Sequence, residues 1–423
     1  MEEVIKIKGN KLLHGTVNIS GSKNLCVALI PAALLSRDLV IIHNIPPISD
    51  VYHLIEILEY FNVCVQYHND SLIIDSSNIT EKDLTINAMT KLRASYYFYS
   101  VLTGMFKHLT TTTIGGCSLG ERPIDLHLKA FETLGVKTKI LENGYEFDGT
   151  KLHSGHILFD KISVGATINA VLLAVQIKGK TIIENAAIEP EVTELFNFLN
   201  AMGAKIIGIG THTLTIYGGK SLKGCEFKNI PDRIEAGTYA LIGAAVGQDI
   251  KIKNIIPEHL GSLLELFDVL KINYYIKDDY MVVSKTELQK GIIILTSAYP
   301  GFPTDLQQPL TTFLTINKET SVIIEGIYDN RFAHIHELNK MGADIMLNNF
   351  NIIIHGVDKL QGKQVSGKDL RGGASLVLAG LMAKGTTIVR GLQYINRGYE
   401  NMVAKLKKLG ANIELCMQEF EEE

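Results

Sequence analysis

Two kinds of apolar pattern alternate along this chain. Runs such as 213–217, which alternates polar and apolar residues with the period of two of a strand, and 351–355, with three isoleucines between polar ends, are strand-like. Others, such as Ala240-Leu-Ile-Gly-Ala-Ala-Val, are apolar around most of a helical circumference and predict helices buried inside a domain. A helix-ending phrase recurs as Glu132-Thr-Leu-Gly-Val, Asn200-Ala-Met-Gly-Ala, Lys340-Met-Gly-Ala and Lys408-Leu-Gly-Ala, with looser copies at Tyr60-Phe-Asn-Val and Val269-Leu-Lys-Ile. Aligning Asn62, Gly135, Gly203, Lys271, Gly342 and Gly410 gives steps of 73, 68, 68, 71 and 68 residues, hence six units of about 70 residues.

The aligned glycine has a physical reason. A helix that stops and turns into a strand wants a positive φ just past its last turn. Asn62 tolerates that conformation, whereas Lys271 is a poor fit. Each unit reads helix, strand, helix, strand, strand. A buried helix at 169–176 leads to a strand at 181–184, and one at 375–383 leads to a strand at 386–389. Hairpins follow the phrases at 204–209 with 213–217 and at 343–347 with 351–355. Asn348-Asn349 and Asp278-Asp279 supply turns of this kind. This predicts an α/β protein with helices enclosed by sheets. Repetition alone leaves open a solenoid of six units or two closed groups of three.

Composition narrows the classes. With 41 Lys and Arg against 45 Asp and Glu, the net charge is −4. A nucleic-acid or lipid surface wants a basic excess, so neither partner is expected. The longest apolar stretches, 27–35 and 375–383, are about half of the ~18 residues that a membrane span needs. Residues 1–6 read as a strand, without a signal-peptide pattern. The five cysteines (Cys26, Cys64, Cys117, Cys225 and Cys416) are scattered and odd in number. They suggest neither disulfides nor a metal site, and a reducing cytoplasm is the expected compartment.

Polar residues gather where the buried helices begin: Ser20-Gly-Ser-Lys-Asn, Lys91-Leu-Arg-Ala-Ser, Ser163-Val-Gly-Ala-Thr, Pro231-Asp-Arg-Ile-Glu, Pro303-Thr-Asp-Leu-Gln and Asp369-Leu-Arg-Gly-Gly. One by one these read as N-caps and solvated charges. Their recurrence in register suggests a shared cleft for phosphate or carboxylate, since helix N-termini and adjacent cations attract anions. Two segments stand apart. In Gly115-Gly-Cys-Ser-Leu-Gly-Glu-Arg-Pro-Ile-Asp-Leu-His, Cys117 is either an inert small hydrophobe or a nucleophile or acid. His127 is given no chemical role. In Tyr299-Pro-Gly-Phe-Pro-Thr-Asp, Asp305 is either a first-turn acid that suits the helix dipole or a base.

Together these segments resemble the enolpyruvyl transferases, specifically those whose acceptor is a nucleotide sugar. The matching phrases are Ile19-Ser-Gly-Ser-Lys-Asn, Arg93-Ala-Ser, Gly115-Gly-Cys-Ser-Leu-Gly-Glu-Arg-Pro, Ser163-Val-Gly-Ala-Thr, Ile183-Glu-Asn-Ala-Ala, Pro303-Thr-Asp, Asn330-Arg-Phe, Asp369-Leu-Arg and Asn396-Arg-Gly-Tyr-Glu. They occur in family order across nearly the whole chain.

The resemblance implies a two-domain inside-out α/β barrel with three repeats per domain. One domain would cover 21–229 and the other 1–20 with 230–423, with the active site in the cleft between them. It implies transfer of the enolpyruvyl group of phosphoenolpyruvate to UDP-N-acetylglucosamine in peptidoglycan synthesis, with no metal or organic cofactor. Lys23, Asn24, Arg122 and Arg397 would bind phosphoenolpyruvate. Asn24, Arg93, Arg122, Pro123, Ile124, Asp125, Leu126, Lys161, Ile162, Ser163, Val164 and Gly165 would hold the nucleotide sugar, with Asp305 and Ile327 on its sugar part. Arg331, Asp369 and Arg371 would line the wall of the second domain. Cys117 would donate a proton and be alkylated by fosfomycin, and Asp305 would help to take the sugar hydroxyl proton.

Three positions depart from the family pattern. Tyr328-Asp329 stands for an aromatic-Glu pair, Tyr97 stands where some members have Trp, and Gly372-Gly373 stands where Ala is frequent. The last change is expected to add flexibility at a helix start. The rival readings are transfer to shikimate 3-phosphate, a non-catalytic nucleotide-sugar-binding paralogue, and a scaffold for protein partners.

Overall fold

The structure, a computed structural model, describes residues 1–112, 114, 115 and 124–419. Cys117, Arg122 and Pro123 lie outside the described residues. The chain divides into two compact units, each with its own hydrophobic core. One comprises Met1–Ser20 and the described residues from Pro231 onward; the other comprises the described residues between Gly21 and Ile230.

In the 21–230 unit, helices Lys23–Ala33, Tyr97–Phe106 and Val164–Ala174 are buried along nearly their whole length. Tyr97–Phe106 packs on both of the others. Helices Ser49–Tyr60, Asp125–Thr133 and Pro190–Ala201 bury one face each, as their mixed composition dictates. Three sheets complete the unit. In one, Leu39–His43 pairs parallel with Glu226–Lys228 and antiparallel with Ser71–Asp75, which forms a hairpin with Cys64–His68. Along Leu39–His43, Val40 and Ile42 are buried while Leu39 is exposed, the alternation of a one-sided strand.

The other unit repeats this logic with buried helices Arg233–Val246, Gln307–Leu314 and Leu370–Met382. Two of its sheets keep the order of a parallel strand, a central strand and a hairpin. In the third, the N-terminal strand Glu2–Lys8 lies between Thr386–Arg390 and Asn412–Gln418, antiparallel to both. It takes the place that the inner hairpin strand holds elsewhere, so the first residues of the chain complete a sheet made by the last.

The six aligned positions all have positive φ: 62° at Asn62, 87° at Gly135, 103° at Gly203, 55° at Lys271, 89° at Gly342 and 90° at Gly410. Lys271, the poor fit by sequence, adopts the left-handed conformation nonetheless, and its N–H bonds the carbonyl of Asp268 at 3.2 Å. The strand expected over 204–209 shrinks to Ile206–Ile207, because Gly208 and Gly210, at φ of 86° and 81°, turn the chain away. The helix placed by sequence at 169–176 begins earlier, at Val164. A second device recurs at the strand ends. Asn44, Asn185 and Asn254, each just after a strand, have φ of 59°, 58° and 59°. Their amides donate to Asn229 O at 2.9 Å, Phe159 O at 3.0 Å and Ile19 O at 2.7 Å, tying the strand end to a neighbouring segment.

Candidate active site

The expected site residues fall in both units. In the 21–230 unit, Lys23 and Asn24 open helix Lys23–Ala33, whose cap is Ser22, accepting from Leu25 N at 3.2 Å. The Lys23 ammonium lies 3.3 Å from the Asp50 carboxylate, which is fully buried in the first turn of Ser49–Tyr60. Asn24 is half-buried beside Lys23.

Arg93 begins the short 3-10 turn Arg93–Tyr96 and carries its guanidinium 5.8 Å from the Tyr96 ring. Tyr96 in turn packs edge-on to His127 at 4.7 Å between centroids. Above both sits Gly165, where a Cβ would come within 2.6 Å of Tyr96 Oη and 2.9 Å of His127 Cε1. Only glycine permits that approach, which places the start of helix Val164–Ala174 against Tyr96 and His127. Ser163 caps this helix through Ala166 N at 3.3 Å. Val164 and Lys161 are exposed and Ile162 is half-buried. Ile124 and Leu126 are buried at the start of Asp125–Thr133, and Asp125 is exposed.

His127, assigned no role by sequence, is buried and structural. Its Nδ1 accepts from Asn169 Nδ2 at 2.9 Å, and Asn169 Oδ1 accepts from Ser100 Oγ at 2.6 Å. Burial, with the nearby charge of Arg93, lowers its pKa to about 3, so the ring is neutral with its proton on Nε2.

In the other unit, Asp305 lies in the 3-10 turn Thr304–Leu306 and bridges two arginines. Its Oδ1 meets Arg331 Nη2 at 2.9 Å and its Oδ2 meets Arg371 Nη2 at 3.0 Å. Both arginines are buried, at 4% and 1% exposed, whereas the Asp305 side chain keeps 23% of its surface. Burial opposes the charge of each guanidinium, but the Asp305 carboxylate leads the interactions that raise both pKa values overall. Arg371 also lies 5.2 Å from the Tyr399 ring, and Tyr399 Oη bonds Thr238 Oγ1 at 2.9 Å.

Asp369 has an internal job. Its Oδ1 caps helix Leu370–Met382 through the N–H groups of Arg371 and Gly372, both at 3.0 Å, and its Oδ2 accepts from Gln308 Nε2 at 3.0 Å. A Cβ on Gly372 would come within 2.8 Å of Asp369 Oδ2, and one on Gly373 within 2.6 Å of Ile395. The glycine pair therefore serves close packing at this helix start. Near Asp369, burial lowers the pKa of His334 to about 4, with Asp369 opposing and Arg331 reinforcing the shift. Arg397 is half-buried just after helix Leu392–Ile395, and Ile327 is 43% exposed.

Sequence reasoning missed Asp50, Thr304, Glu325 and Gln308, which contact expected site residues or their partners. Thr304 lies within the matched phrase Pro303-Thr-Asp, where only Asp305 was given a role; the other three sit in no distinctive motif. Among the described residues, no group of three His, Cys, Asp or Glu side chains is placed to hold a metal ion. Among the same residues, no helix is long and apolar enough to cross a membrane.

The family model for EPSP synthase (3-phosphoshikimate 1-carboxyvinyltransferase) matches residues 7–406. The chain belongs to this family. Within the EPSP synthase family, its similarity is uneven. It is 47% identical over 417 residues to a Streptococcus pyogenes protein named UDP-N-acetylglucosamine 1-carboxyvinyltransferase 2, covering 98% of this chain and 99% of that one. A Listeria innocua protein of the same name is 45% identical over 413 residues, covering 98% of each. Among solved structures, the enolpyruvyl transferase NikO from Streptomyces tendae has a TM-score of 0.90 at 24% identity, covering 98% of this chain and 99% of that one. An EPSP synthase from Acinetobacter baumannii has a TM-score of 0.74 at 17% identity, covering 99% and 100%. These two likenesses establish a shared α/β fold.

Proposed function

We propose that this chain transfers the enolpyruvyl group of phosphoenolpyruvate to the 3′-hydroxyl of UDP-N-acetylglucosamine, releasing phosphate, in the first committed step of peptidoglycan synthesis. The observation that carries this is the 45–47% identity, end to end, with proteins named for that acceptor. Transfer to shikimate 3-phosphate is supported by the family description and by solved structures 17% identical.

The reaction is an addition followed by an elimination. The sugar oxygen bonds C2 of phosphoenolpyruvate while C3 takes a proton and becomes a methyl group. A proton then leaves that methyl group, the double bond re-forms, and the C2–O bond to phosphate breaks. Lys23, Asn24, Arg122 and Arg397 are assigned to the anionic donor, which needs several fixed cations. Asp305 is assigned to the 3′-hydroxyl. Its two guanidinium partners fix its orientation. Cys117 is assigned to proton donation at C3. Asn24, Arg93, Arg122 to Leu126, Lys161 to Gly165, Asp305 and Ile327 are assigned to the nucleotide sugar. The close packing of Gly165 on Tyr96 and His127 supports a preformed helix start there.

At the level of architecture we read two inside-out barrels of three repeats each, one over 21–229 and one over 1–20 with 230–423. The six positive-φ positions at regular spacing support this reading. A cytoplasmic enzyme without nucleic-acid or membrane partners accords with the charge balance and the scattered cysteines. The test is acceptor selectivity, measured as phosphate released from phosphoenolpyruvate with each acceptor in turn.

A further inference from the structure

We propose that Glu325, acting through Thr304, is a positioning residue that holds Arg331 against Asp305 and fixes the backbone at Ile327; this rests on the function proposed above. Glu325 is 3% exposed, and four donors converge on it. Its Oε1 accepts from Thr296 Oγ1 at 2.8 Å, Ile327 N at 2.9 Å and Tyr328 N at 3.2 Å. Its Oε2 accepts from Thr304 Oγ1 at 3.0 Å. Thr304 Oγ1 is in turn 2.9 Å from Arg331 Nη1.

The direction of each bond follows from the inventory of donors. A guanidinium only donates, so Thr304 must accept from Arg331, and its own hydroxyl proton is then directed to Glu325. The hydroxyl is thus polarised from both sides: it donates to Glu325 and leaves its lone pairs to Arg331. Arg331 is held at Nη1 by Thr304 and at Nη2 by Asp305, which fixes the guanidinium plane. Its charge also lies 5.2 Å from the ring of Tyr328, whose N–H is held by Glu325. One buried carboxylate thereby sets two things that the reaction uses, the orientation of Asp305 and the turn carrying Ile327. Glu325 immediately follows strand Ser321–Ile324, and its N–H bonds Phe350 O at 2.9 Å, so it is anchored at the end of an inner strand.

The link can be cut without removing a charge from Arg331 or Asp305. Thr304→Val keeps the side-chain shape and loses the hydroxyl, while Thr304→Ser keeps the hydroxyl. Glu325→Gln retains an oxygen for Thr296, Ile327 and Tyr328 but turns a donor toward Thr304. The full-length chain is assayed for kcat, for KM toward UDP-N-acetylglucosamine and for its thermal midpoint.

The expected result is a kcat roughly tenfold lower in Thr304→Val and Glu325→Gln, as small misplacements of a reacting group produce, with KM changed by less than about twofold. The double variant should be no worse than either single one, since both cut the same link, and Thr304→Ser should stay near wild type. A wild-type kcat in Thr304→Val, additive losses in the double variant, or losses that scale with the fall in thermal midpoint would each overturn the positioning role. A wild-type chain with no turnover on this acceptor would instead sink the functional reading and the proposal with it.

Discussion

The fully buried carboxylate of Asp50 stands 3.3 Å from the ammonium of Lys23, which is itself 15% exposed. The pair joins the start of one buried helix to the first turn of its neighbour, and so fixes where that ammonium sits. Asp50→Asn keeps the shape and removes the charge. The KM for phosphoenolpyruvate should rise about tenfold, or about 1.4 kcal/mol, with the KM for the nucleotide sugar little changed. Steady-state kinetics with each substrate varied in turn checks this; an unchanged KM for phosphoenolpyruvate would remove Asp50 from the account.

Asp305 neutralises two buried guanidiniums at once, so replacing it has a structural cost beside a chemical one. Removing one partner of a buried ion pair costs about 3–5 kcal/mol, because the remaining charge is left uncompensated. Asp305→Asn should therefore lose turnover and also unfold at distinctly lower denaturant concentration. An inactive variant with wild-type stability would mean that other groups neutralise Arg331 and Arg371.

Stability should fall in mild acid. His127 and His334 have folded-state pKa values near 3 and 4, below the ordinary value of 6.5. Between those limits the unfolded chain binds more protons, so their contribution is complete above pH 6.5 and is lost as the pH falls toward about 4 for His334 and about 3 for His127. Each histidine adds a slope of up to about 1.4 kcal/mol per pH unit. Unfolding curves from pH 7.5 to 4.5 should show this slope, and it should flatten in His334→Gln. An identical slope in that variant would show that His334 does not titrate as described.

What the sequence made legible was local. Strand alternation, buried small-residue helices and the six helix-end phrases are repeated by chain-neighbour chemistry, so the hairpin at 343–355 was placed to within a residue. Lys271 shows where residue preference yields, since the helix-end bonds from Lys271 N to Asp268 O and from Ile272 N to Phe267 O hold an exposed lysine at a φ of 55°. The site was legible as residue types at helix starts, but not as partnerships. Asp305 meets Arg331 26 residues away and Arg371 66 residues away, and no periodicity signals such a pairing. Glu325 and Asp50 were missed for a related reason: a single acid beside a strand or in a helix first turn looks like an ordinary solvated or dipole-favoured charge until its burial is known. Gly165 was matched as part of a motif, and its physical reason emerges only from the Tyr96 and His127 rings against it.

Cys117, assigned as proton donor and site of fosfomycin attack, gives a separable outcome. Cys117→Ser should lose nearly all turnover, and fosfomycin should add no mass to it, whereas the wild-type chain should gain one adduct. An adduct that still forms on the serine variant would place the alkylation elsewhere.

The most direct test of the central claim is phosphate release from phosphoenolpyruvate by the full chain, with UDP-N-acetylglucosamine or shikimate 3-phosphate as the acceptor. The account predicts release with the nucleotide sugar alone, at a rate proportional to enzyme concentration. Release with shikimate 3-phosphate alone, or with neither acceptor, would contradict it.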